Sequence, residues 1–160
     1  MRYTHPFKAI INNDSVILIL GTFPSIKSFE NNFYYSHPKN QFWSILSTIF
    51  NEILITEKER INFLKKYKIA LWDIVESCNR ENSSDSNLKE VKVHDLSKLI
   101  KTYKNIKVIA FTSKKALYFY EKYHEKINIP VVYLPSPSPA YAAMKIEDKI
   151  EAYRDILGEK

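Results

Sequence analysis

The chain has 160 residues and a net charge of +6, with 45% hydrophobic and 26% charged residues, the size and make-up of one globular domain that buries a core without metals or disulfides. Only two glycines, Gly21 and Gly158, and one cysteine, Cys78, are present, which excludes glycine-rich phosphate loops, an internal disulfide and multi-cysteine zinc sites. The longest apolar run, Val16 to Leu20, falls far short of the ~20 residues of a membrane helix, and the first ten residues lack the apolar core of a signal peptide, so a cytoplasmic protein with no membrane contact is expected.

In chain order, the first predicted strand is Val16-Ile-Leu-Ile-Leu-Gly21. A helix is predicted over Asn40 to Ile53, where Phe42, Ile45, Leu46, Ile49, Phe50 and Ile53 recur at i, i+3, i+4 spacing. Thr56 followed by Glu59 forms a capping-box start for a helix reaching about Tyr67. The second strand is Ile69 to Val75, and the polar stretch from Cys78 to Asn87 reads as a loop. Asp85 and Ser86 suit the cap of a helix starting near Leu88. Helices are expected over Asp95 to Tyr103, Ser113 to Tyr123 and Ile146 to Leu157, the last stopped by Gly158. Two more strands, Val108 to Thr112 and Val131 to Leu134, complete the set. The four strands are apolar nearly throughout rather than alternating, which predicts strands covered on both faces: an α/β sandwich with a parallel sheet between helix layers.

Ten lysines and four acidic residues lie between Lys89 and Lys126, a surplus that equals the net charge of the whole chain. Such a field suits a polyanion such as nucleic acid, and equally a solvated lysine-rich surface. In an open parallel sheet, ligands bind beyond the carboxyl ends of the strands. The segments there are Gly21-Thr-Phe-Pro-Ser25, Asp73 to Ser86, Thr112-Ser-Lys-Lys115 and Pro135-Ser-Pro-Ser-Pro139. They are rich in hydroxyls, amides and prolines, with no Ser-His-Asp order and no HExxH motif. The pattern is one of binding and orientation, with no metal. Asp73 and Cys78 read as structural residues.

Gly21-Thr-Phe-Pro-Ser25, followed by Tyr34-Tyr-Ser-His-Pro-Lys-Asn-Gln-Phe-Trp43, resembles the uracil-DNA glycosylase superfamily, and within it the hypoxanthine (DNA-deoxyinosine) branch. Leu71-Trp-Asp73, Cys78, Arg80, Ser84-Asp-Ser86 and Leu134-Pro-Ser-Pro-Ser-Pro-Ala140 follow in that branch's order. The resemblance spans nearly the whole chain, and its most specific part is the HPxNQFW string. It implies a three-layer α/β/α sandwich with a central four-stranded parallel sheet over residues 1–160. The implied activity is that of a monomeric, monofunctional glycosylase with no cofactor. It would flip a deaminated base, hypoxanthine first and uracil second, out of double- or single-stranded DNA, hydrolyse the N-glycosidic bond and leave an abasic site for base excision repair.

The resemblance also implies residue roles. Asn40 is the implied catalytic residue, and its type equally suits a helix cap. The implied base pocket contains Gly21, Thr22, Phe23, Pro24, Tyr35, His37 and Thr112, with Tyr35 stacking on the base and Phe23 as a second wall. His37 contacts phosphate or only satisfies its loop. Ser25, Ser136, Pro137, Ser138 and Pro139 are the implied DNA-binding residues, the last four in a loop that presses into the minor groove. Two positions depart from relatives. Phe23 stands where strongly uracil-active relatives carry a carboxylate, and Thr112-Ser113 stands where the branch carries Asn-Gly. Three places where the family often has glycine hold Ser36, Asn82 and Ser113. These departures leave room for a rival reading, a protein of this fold that binds damaged DNA without cleaving it. An unrelated α/β hydrolase or nucleotide-handling protein fits least.

Overall fold

The computed structural model describes residues 2–81 and 88–158. Four parallel strands, β2 (Ile17–Gly21), β3 (Ile69–Asp73), β6 (Val108–Phe111) and β7 (Val131–Tyr133), form a sheet in the order β3-β2-β6-β7. Side chains alternate across this sheet, and both faces are buried. Leu18, Leu20, Ala70, Ile109 and Phe111 join one apolar cluster with residues of α4 (Leu96–Thr102) and α5 (Lys114–Tyr123). Ile19, Ile69, Leu71 and Ala110 join a second with residues of α2 (Phe42–Phe50), α3 (Glu57–Lys66) and α6 (Ile146–Leu157). The expected three-layer α/β/α sandwich is therefore present. No helix among the described residues is long and apolar enough to cross a membrane.

Local signals place most of the elements. Thr56 and Glu59 form the expected capping box on α3, with Glu59 N–H donating to Thr56 Oγ1 at 3.1 Å and Thr56 N–H donating to Glu59 Oε1 at 2.8 Å. Asp95 caps α4 and Ser113 caps α5 through their side chains. Helix α2 is shorter than its periodicity predicts, because Asn51 takes a left-handed conformation at φ 52° and closes it. Gly158 ends α6 with an ordinary φ of −64°, so the conformational freedom of glycine is not used there.

A second sheet corrects the sequence reading. Strands β1 (Arg2–Thr4), β4 (Val75–Asn79) and β5 (Lys89–Val93) form an antiparallel sheet in the order β1-β4-β5. The predicted strand from Ile69 to Val75 is divided after Asp73: Ile74 N–H and Val75 N–H still donate to the Gly21 and Thr22 carbonyls, at 2.9 and 3.0 Å, and Val75 already pairs with Val93 in the second sheet. Cys78 and Asn79, expected in a loop, pair with Tyr3 and Arg2. The helix expected from near Leu88 is strand β5, whose Val91 and Val93 alternate with charged residues and pack on the first cluster. Its proposed caps, Asp85 and Ser86, lie outside the described residues. A six-residue helix, α1 (Ile26–Asn31), follows β2 and carries no apolar periodicity that would reveal it.

The small sheet delivers two histidines to the end of β3. His94, just past β5, donates from Nδ1 to the Asp73 carbonyl at 2.8 Å and stacks on Trp72 at 3.8 Å. Burial, foremost, lowers its pKa from 6.5 to about 4. A neutral His94 therefore stabilises the fold fully above pH 6.5, and this contribution is lost as pH falls from 6.5 through about 4. In urea unfolding at pH 7, 5.5 and 4, His94→Gln is expected to reduce the loss of stability on acidification by about 2 kcal/mol. An unchanged pH slope would show that His94 does not contribute it.

Candidate active site

The carboxyl ends of the parallel strands open into a cleft of about 590 Å³. All thirteen residues singled out from the sequence line it: Gly21 to Ser25, Tyr35, His37, Asn40, Thr112 and Ser136 to Pro139. Ser28, Tyr34, Asp73, Ser113, Ala140 and Tyr141 line it as well. The floor is made of buried residues, Gly21, Thr22, Phe23, Asp73 and Thr112, and the rim includes exposed His37 and Pro139. Among the described residues no lysine or arginine lines the cleft, so the lysines between Lys89 and Lys126 contribute nothing to its wall, whereas Thr112 and Ser113 of the same segment do. Lys114 and Lys115 open α5 next to its cap Ser113, at the cleft end, whereas Lys122 lies near the far end of that helix. Among the described residues no cluster of His, Cys, Asp or Glu is arranged to hold a metal ion.

The first loop is built around missing volume. Gly21 and Asp73 are partners in the parallel register of β2 and β3. A Cβ on Gly21 would lie 2.5 Å from Asp73 Oδ1, 3.0 Å from Tyr35 Oη and 3.6 Å from Thr112 Oγ1. Three polar atoms thus converge on the space that a side chain at residue 21 would fill. Thr112 donates to the Leu20 carbonyl at 3.3 Å, so its oxygen accepts from the Tyr35 hydroxyl at 3.2 Å. Thr22 and Ser113 share a hydrogen bond of 2.8 Å. Arg80 supports the loop from below: its guanidinium donates to the Pro24 carbonyl and stands 5.0 to 5.3 Å from the rings of Tyr3, Phe23 and Phe29. Phe23 is consequently core as well as wall.

Tyr35 adopts a left-handed backbone, φ 51°, which is strained for a bulky residue. Its ring stacks on Phe42 at 4.0 Å. Neither Ser36 nor Ser113, two of the places where the resemblance leads one to expect glycine, has a positive φ, and Asn82 lies outside the described residues. Asn40 bonds the backbone at the start of α2 and lines the cleft at once. Its Oδ1 accepts from Phe42 N–H at 2.9 Å, capping the first turn of α2. Only the amide oxygen can accept, so the amide NH2 is the donor left for the cleft. Ser25 is different: its hydroxyl accepts from Ser28 N–H as the cap of α1 and donates to Ser28 Oγ. In the Pro-rich loop, Ser136 and Ser138 hydroxyls accept from the backbone amides of Ser138 and Ala140, each at 3.2 Å.

Sequence reasoning assigned Asp73 to structure, yet its carboxyl lines the cleft floor. His5 Nε2 bonds its Oδ2 at 2.8 Å, with both side chains almost fully buried. The signal for Asp73 was its place at a strand end; no local pattern pointed to His5, which arrives through β1. Burial first, and the Asp73 carboxylate second, push the Tyr34 hydroxyl far above the tyrosine range, and it donates to the Lys8 carbonyl.

This geometry can be set beside known proteins. The profile of the uracil DNA glycosylase superfamily matches residues 9–157. The chain belongs to that superfamily. Members of the superfamily similar to it include a hypoxanthine DNA glycosylase from Methanosarcina barkeri, 36% identical over 112 residues, which are 69% of this chain and 71% of the relative. A hypoxanthine DNA glycosylase from Methanosarcina acetivorans is 32% identical over a stretch of the same length and the same shares. The solution NMR structure of a uracil DNA glycosylase candidate from Methanosarcina acetivorans superimposes with a TM-score of 0.78 at 27% identity, covering 97% of this chain and 98% of that one.

Within this superfamily member, one buried cation joins two walls of the cleft. Lys149 of α6 is only 1% exposed. Its ammonium donates to Gln41 Oε1 at 2.7 Å and to the Ser138 carbonyl at 3.2 Å, and Gln41 N–H donates to the Pro137 carbonyl at 2.9 Å. Burial lowers the Lys149 pKa. Lys149→Met removes the pin but also the desolvation cost, so stability is expected to change by less than about 2 kcal/mol. The Gln41 amide, followed by NMR hydrogen exchange, should open at least about tenfold more often. Unchanged exchange would show that the two walls are held independently.

Proposed function

We propose that this protein is a DNA glycosylase that takes a deaminated base, hypoxanthine first and uracil second, out of the DNA stack and hydrolyses its N-glycosidic bond in the first step of base excision repair. The observation that carries this reading is the convergence of all thirteen motif residues on one cleft at the strand ends, in a chain whose curated relatives from Methanosarcina act on hypoxanthine by name. The cleft volume suits one base and its sugar. The glycosidic bond breaks with its electron pair leaving on the base; water then adds to the sugar carbon and loses a proton. The charge separated on the way is stabilised by fixed dipoles rather than by a strong base. Asn40 supplies one such dipole: its NH2 donates to the departing base or to the water, while Phe42 N–H holds its oxygen in place. The Ser136 and Ser138 hydroxyls, whose oxygens are occupied by backbone amides, keep their protons for phosphate oxygens.

The test is single-turnover cleavage of oligonucleotides carrying one deoxyinosine or one deoxyuridine, followed by alkali. Abasic product is expected, faster from deoxyinosine. DNA binding without base release from either would instead identify a non-cleaving binder. Asn40→Ala is expected to lower the rate by about 100-fold or more and, through the lost cap, stability by about 1 kcal/mol. Asn40→Asp keeps an acceptor for Phe42 and removes the NH2 donor. If Asn40→Asp retains full activity, Asn40 serves only as a cap.

A further inference from the structure

A second groove, of about 400 Å³, lies behind one wall of the cleft. Tyr35, His37 and Asn40 line both spaces, so the loop that carries them is the partition between the two. Beyond that loop the groove passes over α2 to the connection between α2 and α3, where Ser44, Ile53, Leu54, Ile55 and Arg60 line it. Unlike the cleft, it holds a cation. Arg60 is half-buried, its Nε donates to the Leu54 carbonyl at 3.0 Å, and its guanidinium stands 5.1 Å from the centre of the Trp43 ring. Trp43 is itself anchored, donating from Nε1 to the Tyr34 carbonyl at 3.0 Å. Among the described residues Arg60 forms no ion pair, and its Nη1 and Nη2 make no hydrogen bond. The neighbouring Glu59 is taken by the capping box of α3, and no carboxylate lines the groove. Two further donors do. The Ser44 hydroxyl has no partner among the described residues, and His37 Nδ1 accepts from Lys39 N–H at 3.1 Å, which leaves a hydrogen on Nε2.

We propose that this groove is a phosphate subsite, in which Arg60 holds a backbone phosphate of the DNA strand next to the extruded nucleotide. The inference rests on the glycosylase reading above for its ligand, a strand with one nucleotide turned out, and not on breakage of the bond. A planar guanidinium with both Nη groups free is matched to phosphate oxygens, and one already fixed by a carbonyl and a ring loses little freedom on binding. Continuity with the cleft selects a strand rather than a free anion. A strand that places one nucleotide in the cleft must leave across a wall, and the wall from Tyr35 to Asn40 opens directly onto the groove. Ile53 and Ile55, 69% and 77% exposed, offer the sugar beside that phosphate an apolar surface. Base and phosphate are thus received in different places, the base in a cleft without lysine or arginine and the phosphate on a single arginine behind its wall. The lysine surplus between Lys89 and Lys126 gave no hint of this residue.

The test is binding, read by fluorescence anisotropy, of oligonucleotides carrying one 2′-fluorodeoxyinosine, whose fluorine slows loss of the base. A neutral methylphosphonate replaces each flanking phosphate in turn. At one position wild type is expected to lose at least about tenfold in affinity. Arg60→Gln should lose as much on the unmodified strand and nothing further at that position. Its slope of log affinity against log salt should flatten by about one. Arg60→Lys keeps the charge and should keep the methylphosphonate penalty, which separates phosphate binding from the tether to Leu54. The same pattern of penalties in wild type and Arg60→Gln overturns the proposal and leaves Arg60 a purely structural residue. Wild-type binding that no flanking methylphosphonate weakens overturns it as well. Failure to bind any damaged strand overturns the glycosylase reading and this inference together, whereas binding with an unaltered pattern overturns this inference alone.

Discussion

The space beside Gly21 can hold either a side chain or the Asp73 carboxyl, and the rest of the structure is arranged so that it holds the carboxyl. Parallel pairing of β2 with β3 sets the two residues side by side. The turn of the chain after Asp73 sends β4 into a second sheet, and that sheet brings in what the carboxyl needs. Strand β1 pairs with β4 and leads to His5, whose backbone N–H donates to the Glu76 carbonyl at 2.7 Å and whose ring binds Asp73. Strand β5 leads to His94, which binds the Asp73 carbonyl, while His94 N–H bonds the Ile74 carbonyl. The antiparallel sheet thus functions as a bracket for the end of β3, and burying a carboxyl there is tolerable because its neighbours are fixed in place.

Around this floor the cleft is neutral. Hydroxyls of Thr22, Thr112, Ser113, Ser136 and Ser138 and the amide of Asn40 supply its polarity, and several of them are oriented by backbone groups. Fixed dipoles of this kind cost no reorganisation when charge develops near them. Aromatic rings give the walls their stiffness. Tyr35 is held at an unfavourable backbone angle by its stack on Phe42 and its bond to Thr112, and Phe23 is wedged between Phe29 and Arg80. A wall residue that is also core moves little, which suits a site that orients rather than activates.

The walls are also tied to one another. The start of α2, carrying Asn40 and Gln41, and the loop from Pro135 to Pro139 are joined by a backbone hydrogen bond and by Lys149. Tyr153, one turn further along α6, donates to the Pro135 carbonyl at 2.6 Å. The last helix therefore fixes the loop at two points. The lysines between Lys89 and Lys126 stand outside this arrangement: none of them lines the cleft, and they contribute to the field around the protein.

The sequence by itself determined the parallel sheet, the helix layers and the side of the sheet on which the motif loops at the strand ends gather, while Tyr35, His37 and Asn40 were expected there only through the family resemblance. Uninterrupted apolar runs require two covered faces, capping residues mark helix starts wherever they stand, and strand ends of a parallel sheet lie on one side. These are local or topological rules that need no knowledge of neighbours. The second sheet and α1 were not legible in the same way. Arg2–Thr4 and Val75–Asn79 are strands only because they pair with each other across the chain, and Cys78 in a polar stretch carries no sign of it. The alternation of Val91 and Val93 with charged residues was legible, but it competed with a cap signal just upstream. The double duty of Asn40 and the loss of Ser25 to α1 depended on which backbone donor each side chain met. Above all, only the tertiary structure decided that Asp73 is part of the cleft. A buried carboxyl at a strand end has the same local sequence whether it faces core or solvent, and its direction was set by a missing side chain at Gly21 and a histidine 68 residues earlier in the chain.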